Sequence, residues 1–123
     1  MCIKKVLVIE DNELNMKLVR GLLSLSSCQY QMLEATDAET GILMAHKHRP
    51  DLILMDIQLP GINGLEASKI ISTDVDLKDI PIIALTSYAM QGDEEKAKKA
   101  GCIGYITKPI DTKTFTERIG KYL

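Results

Sequence analysis

The sequence predicts an α/β fold, a doubly wound five-stranded parallel sheet with helices on both faces. Three observations carry that expectation. Short apolar runs recur along the chain, at Val6 to Ile9, Gln31 to Ala35, Leu52 to Met55, Ile82 to Leu85 and Ile103 to Ile106, with helix-like stretches between them. Several of these runs are continuously apolar rather than alternating, the pattern of strands covered on both faces of a parallel sheet. The runs also end in reactive residues: Glu10 and Asp11 after the first, Asp56 after the third, Thr86 after the fourth and Lys108 after the fifth. In open α/β sheets, ligands bind beyond the carboxyl ends of the strands, where the winding direction reverses.

The elements follow in order. After the first strand, Asn12 is suited to cap a helix on which Leu14, Leu18, Leu22 and Leu25 recur at helical spacing. The leucines are expected to be core. The second strand leads into Thr36-Asp37-Ala38-Glu39, which has the spacing of a capping box. Ala38, Ile42 and Ala45 supply the apolar face of the second helix, and Pro50 follows it. Beyond the third strand, Pro60, Gly61 and Gly64 mark a loop before a helix over 65–73. Pro81 precedes the fourth strand. A charged helix over 93–100 is closed by Gly101, where a C′ glycine belongs. After the fifth strand, Asp111 is placed to cap a last helix with Phe115, Ile119 and Tyr122 on one face.

Composition excludes several classes. The 123 residues suit one domain with a real core, and 46% hydrophobic content argues against disorder. A net charge of −2 with both signs interspersed gives no basic face for nucleic acid. Four Tyr, one Phe and no Trp make a base-stacking platform a poor expectation. No apolar stretch reaches the roughly 18 residues of a membrane span. The N-terminus does not read as a signal peptide. Cys2, Cys28 and Cys102, odd in number and widely spaced, read as reduced thiols, so the expected location is cytoplasmic.

Strand ends carry the chemistry. If the runs are neighbouring parallel strands, Glu10, Asp11 and Asp56 converge with Lys108 in one crevice. Three packed acids repel and push one another's pKa upward unless a cation sits among them. Mg²⁺ favours one or two carboxylates together with phosphate oxygens and water. Asp11 and Asp56 supply such ligands, with Glu10 acting through water. Asp56 is also a candidate nucleophile, because carboxylates form aspartyl-phosphates. Phosphoryl transfer needs mainly positioning and charge neutralisation. Lys108 and the Thr86 hydroxyl are placed to take phosphoryl oxygens.

With Glu10-Asp11, Asp56, Thr86 and Lys108-Pro109 in place, the chain resembles the receiver domain of two-component response regulators. The resemblance extends from Lys5 to Leu123, and the segment from Asp51 to Gly64 is its most specific part. It goes with a flavodoxin-like strand order of 2-1-3-4-5. It implies that Asp56 accepts a phosphoryl group from a phosphohistidine on a sensor histidine kinase or histidine phosphotransfer protein. Asp11 and Asp56 would bind Mg²⁺ directly, with the Gln58 backbone carbonyl as a further ligand. Thr86 and Lys108 would hold phosphoryl oxygens, and Tyr105 occupies the aromatic switch position. A cis bond between Lys108 and Pro109 is also implied. Glu10 stands where Asp is commoner. Ser87 leaves access to the site open, while Gln58 and Tyr88 stand at positions that tune phosphoryl lifetime. Such a protein is not an enzyme in the usual sense, catalysing only its own phosphorylation and slow dephosphorylation. The expected organisation is one receiver over 1–123 with no output domain, a monomer or activation-dependent dimer that signals to a downstream protein target. A receiver cut from a hybrid histidine kinase is the alternative reading. A non-phosphorylated scaffold ranks below both, because the acids and the lysine are all present.

Other chemistries fit less well. A phosphatase of the haloacid dehalogenase type needs a second acid two residues after the nucleophile, and Gln58 stands there. A flavin carrier would place phosphate at the first loop, where Glu10, Asp11 and Glu13 repel it. His46 and His48, two apart on a helix, face different ways and read as surface residues rather than a metal pair. Lys96, Lys98 and Lys99 read as a solvated helix face.

Overall fold

The computed structural model describes residues 3–25, 29–59, 61–86, 93–108 and 110–123. Among them strands and helices alternate: β1 (Lys4–Ile9), α1 (Glu13–Leu25), β2 (Tyr30–Ala35), α2 (Ala38–His48), β3 (Leu52–Asp56), α3 (Gly64–Thr73), β4 (Ile82–Thr86), α4 (Asp93–Lys99), β5 (Gly104–Thr107) and α5 (Phe115–Gly120). The strands form one parallel sheet in the order β2-β1-β3-β4-β5, as expected.

The strand side chains alternate between two cores. Val6 and Val8 of β1, Leu52 and Leu54 of β3, and Ile83 and Leu85 of β4 join Met16, Val19 and Leu23 of α1 and Phe115 and Ile119 of α5. Leu7, Ile9, Ile53, Met55, Ile82 and Ala84 instead join Ala38 and Ala45 of α2, Ala67 and Ile71 of α3, and Ala97 of α4. Every residue of β3 and β4 is buried, which is why those runs carry no polar alternation. The N-terminal end of β3 is fixed to β1 by Asp51, whose carboxylate accepts from the Lys5 amide at 2.8 Å. No described helix is long and apolar enough to cross a membrane.

Several local expectations need correction. Asn12 does cap α1, its Oδ1 accepting from the Asn15 amide at 3.1 Å. The leucine row of that helix, however, is core only in part: Leu18 and Leu22 are half-buried against the cluster that holds Val6 and Val8, and the row's two ends are not. Leu14 and Leu25 are 78% and 85% exposed, whereas Met16, Val19 and Leu23 are buried. At 3.6 residues per turn the two rows are roughly 140° apart. Both have helical spacing, and the Met16 row is the one fully buried in the cluster with Val6 and Val8.

The N-cap of α2 is Asp37 rather than Thr36. Its carboxylate accepts from the Thr40 amide at 2.7 Å and hydroxyl at 3.0 Å, using two acceptor oxygens where a Thr36 hydroxyl would offer one. Helix α3 starts at Gly64, one residue early, because Asn63 caps it through the Glu66 amide at 2.9 Å. Strand β5 begins at Gly104, and Ile103 is half exposed. Asp111 caps a separate lead-in turn, accepting from the Lys113 amide at 2.9 Å, so α5 itself starts only at Phe115. Gly101 closes α4 as expected, at φ +100°. Cys102 is buried and its thiol donates to Ser68 Oγ at 3.4 Å. Cys2, Cys28, Pro60, Ser87, Tyr88 and Pro109, with the expected cis bond, lie outside the described residues.

Candidate functional site

The sheet order places the ends of β1, β3 and β4 side by side, with β5 beyond. Glu10 is held just after β1 by its amide, which donates to the Ala35 carbonyl at 2.9 Å. Asp56 is the last residue of β3. The Lys108 amide donates to the Thr86 carbonyl at 2.6 Å, which carries the lysine back over the end of β4.

These backbone constraints bring four of the expected residues together. Glu10 and Asp56 are buried at 1% and 2% exposure, and Asp11 is exposed. One carboxylate oxygen from each of the three lies within 4.8 Å of the others. Lys108 enters the same cluster. Its Nζ donates to both Glu10 oxygens at 2.9 and 3.0 Å and lies 3.2 Å from Asp56 Oδ2. Asp56 Oδ1 accepts from the Gln58 amide at 3.0 Å.

Asp56 is pushed up to about pKa 6. Burial is the leading cause, ahead of the neighbouring Glu10; the Gln58 amide and the Lys108 charge work in the opposite direction. The upward direction matches the sequence expectation, but the weight of causes differs: desolvation outweighs repulsion. A buried carboxylate with an adjacent cation and two further acids is a site arranged around charge.

Thr86 ends β4 and is 1% exposed, placed at the same edge by the pairing of Asp56 with Leu85. Gln58 is tied to the acid cluster through its amide. Tyr105 is in β5, partly buried against the core on the α2, α3 and α4 side. It borders a surface cleft of about 440 Å³ shared with Lys98, Ile103, Arg118 and Tyr122.

Gly64 is part of the site's construction. Its amide donates to the Ile57 carbonyl at 2.9 Å, folding the loop after β3 back on itself. A Cβ there would overlap the Asp56 carbonyl oxygen and the Ile57 backbone. Gly64→Ala is therefore expected to lose about 1–3 kcal/mol in urea unfolding, because the clash is with backbone that cannot rotate away. An unchanged midpoint would contradict this packing.

Sequence reasoning missed Asn15. Its Nδ2 donates to Glu10 Oε1 at 2.8 Å. The available signal was its place in the first turn of α1, since helical side chains tilt toward the N-terminus and hence toward the loop that carries the acids. His46 was expected to be an ordinary surface residue, and its Nε2 meets Asp74 Oδ2 at 3.1 Å, with Asp76 close by.

The profile of the response regulator receiver domain matches residues 6–120. A polar-differentiation response regulator of Brucella anthropi is 48% identical over 120 residues, covering 98% of this chain and 96% of that protein. The receiver domain of a Pseudomonas aeruginosa sensor histidine kinase, solved with a magnesium ion coordinated in its active-site cleft, superposes with a TM-score of 0.88 at 30% identity, covering 98% of each chain. A response regulator from Chloroflexus aurantiacus matches in fold, with a TM-score of 0.92 at 22% identity over 98% of each chain. With the parallel sheet and the acid cluster at its carboxyl edge, these matches establish that the chain belongs to the response regulator receiver domain family of two-component signalling.

Proposed function

We propose that this protein is a stand-alone phosphorylation switch. It takes a phosphoryl group from a phosphohistidine on a sensor histidine kinase or a histidine phosphotransfer protein, and Asp56 is the acceptor. The observation that carries the reading is the convergence of Glu10, Asp11, Asp56 and Lys108 within hydrogen-bonding and ion-pairing distance at one sheet edge.

The donor set fits Mg²⁺, being hard carboxylate oxygens close enough to share one ion. Asp11, Asp56 and the Gln58 backbone carbonyl would hold it, with Glu10 assisting through water. When bound, Mg²⁺ neutralises the acids and polarises a phosphoryl oxygen. The magnesium in the cleft of the Pseudomonas relative supports this assignment.

The chain's own residues do the rest. An ionised Asp56 oxygen attacks phosphorus, the N–P bond breaks, and its electron pair returns to the imidazole, which takes a proton from solvent. Asp56 needs no general base near neutral pH, where it is ionised more often than not even at a pKa of about 6. Lys108 leaves Glu10 for a phosphoryl oxygen, and the Thr86 hydroxyl takes another. Movement of Thr86 gives Tyr105 room to turn inward, shifting the population of the surface formed by α4, β5 and α5. The cleft beside Tyr105 lies on that surface.

The stand-alone reading, one receiver over 1–123 in the cytoplasm, is supported by the near-full-length match to the Brucella protein. A monomer, or a dimer formed on activation, would pass the message to a downstream protein target. A receiver from a hybrid kinase is the second reading, favoured by the Pseudomonas relative. Mass spectrometry after incubation with Mg²⁺ and acetyl phosphate tests the function. One added phosphoryl group is expected, and no gain would overturn the assignment.

A further inference from the structure

We infer that Asn15 is a positioning residue for the acid cluster, holding the Glu10 carboxylate in place when Lys108 turns to the phosphoryl group. The inference rests on the proposed function and adds to it a residue outside the acid-and-lysine set.

The geometry is specific. Glu10 is 1% exposed, so its carboxylate depends on protein donors. The described donors are the Lys108 ammonium, which reaches both oxygens at 2.9 and 3.0 Å, and the Asn15 amide, which reaches Oε1 at 2.8 Å. Lys108 cannot serve Glu10 and a phosphoryl oxygen equally well. Once it turns to the phosphoryl group, Asn15 is the described protein donor that remains on Glu10. A buried carboxylate stripped of donors moves to find others, and that displacement spoils its service to a cation.

Asn15 is well held for this purpose. Its backbone amide is bonded to the Asn12 cap at 3.1 Å, fixing the first turn of α1. The side chain spans from that helix to the loop after β1, so it sets the Glu10 rotamer from a rigid element. An amide also donates without adding charge. A lysine at this place would compete with the metal, and an acid would repel Glu10.

The test is Mg²⁺ titration by calorimetry on the full chain, for the wild type, Asn15→Ala, Glu10→Gln and the double variant, with excess beryllofluoride present as a phosphoryl analogue that draws Lys108 from Glu10. Loss of one hydrogen bond to a charged group predicts about tenfold weaker Mg²⁺ binding for Asn15→Ala. Because Asn15 acts through the Glu10 carboxylate, the same substitution in the Glu10→Gln background is expected to change affinity less than twofold. In steady-state phosphorylation, raising Mg²⁺ is expected to restore the Asn15→Ala rate. An unchanged affinity in Asn15→Ala would overturn the inference, as would a tenfold loss that persists without the Glu10 carboxylate. The wild-type arm reads the functional proposal separately: Mg²⁺ binding and phosphorylation there, with no Asn15 effect, sinks only the positioning role.

Discussion

Asp56→Asn is expected to melt higher than the wild type in metal-free buffer at pH 7, while losing all phosphoryl uptake. The carboxylate is buried and its pKa is raised to about 6. The folded protein therefore binds this proton more tightly than the unfolded chain, whose Asp titrates near 3.8. The stabilisation from that preference is complete below the unfolded value and is lost as pH rises through about 6. At pH 7 the wild type thus bears an ionised, desolvated group at a cost of about 3 kcal/mol. Asparagine keeps the shape and removes the charge. Lys108 keeps its two bonds to Glu10, so the variant does not strand an ammonium. We expect a gain of about 1–3 kcal/mol by urea unfolding at pH 7 that vanishes by pH 4. A variant less stable than the wild type at pH 7 would contradict the reading of Asp56 as a strained acid. Persistence of phosphoryl gain by mass would remove it as acceptor.

Millimolar Mg²⁺ is expected to raise the wild-type melting temperature strongly at pH 7.5 and hardly at all at pH 4.5. An ion held among Glu10, Asp11 and Asp56 would bind the folded state and not the unfolded one. At a hundredfold excess over Kd it would add about 2.7 kcal/mol, or about 10 °C for a domain of this size. Below about pH 6 a proton increasingly occupies Asp56 and competes for the same oxygens. Differential scanning calorimetry across pH, with and without Mg²⁺, checks both halves. A shift of equal size at both pH values would place the ion elsewhere. In Asp56→Asn most of the upshift should disappear, because a carboxylate ligand has become a neutral amide.

Much of this was legible in the chain because strand periodicity and topology are strong constraints. The apolar runs place Glu10, Asp11, Asp56, Thr86 and Lys108 at strand ends, and parallel pairing then leaves one edge at which to gather them. Helix phase was not legible in the same way. The Leu14 row and the Met16 row have the same spacing, and periodicity says nothing about which one is fully buried beside Val6 and Val8. Caps were legible to within one residue: Thr36 and Asp37 are adjacent cap formers, and the one offering two acceptor oxygens prevailed. Asn15 escaped notice because its partner is in the preceding loop, a contact made by the tilt of a helical side chain rather than by any motif. Likewise the dominance of burial over repulsion at Asp56 depends on how far α3 and the Gly64 turn close over the strand end, which no spacing records.

Arg118 and Arg20 together have a consequence for how copies of the protein meet. The sheet has two outer strands, β2 and β5. On β5 the Tyr105 carbonyl is taken by the Arg118 guanidinium at 2.8 Å. On β2 the Glu34 side chain is forked onto Arg20 at 2.6 and 2.8 Å. On β5 the guanidinium thus occupies a backbone acceptor, and on β2 the Glu34–Arg20 pair sets charge beside the outer strand, both of which discourage sheet-to-sheet growth. Neighbouring molecules crowded in a cell are thereby steered away from fibre-like stacking, and a listener is left to grip helices and side chains rather than to lengthen the sheet.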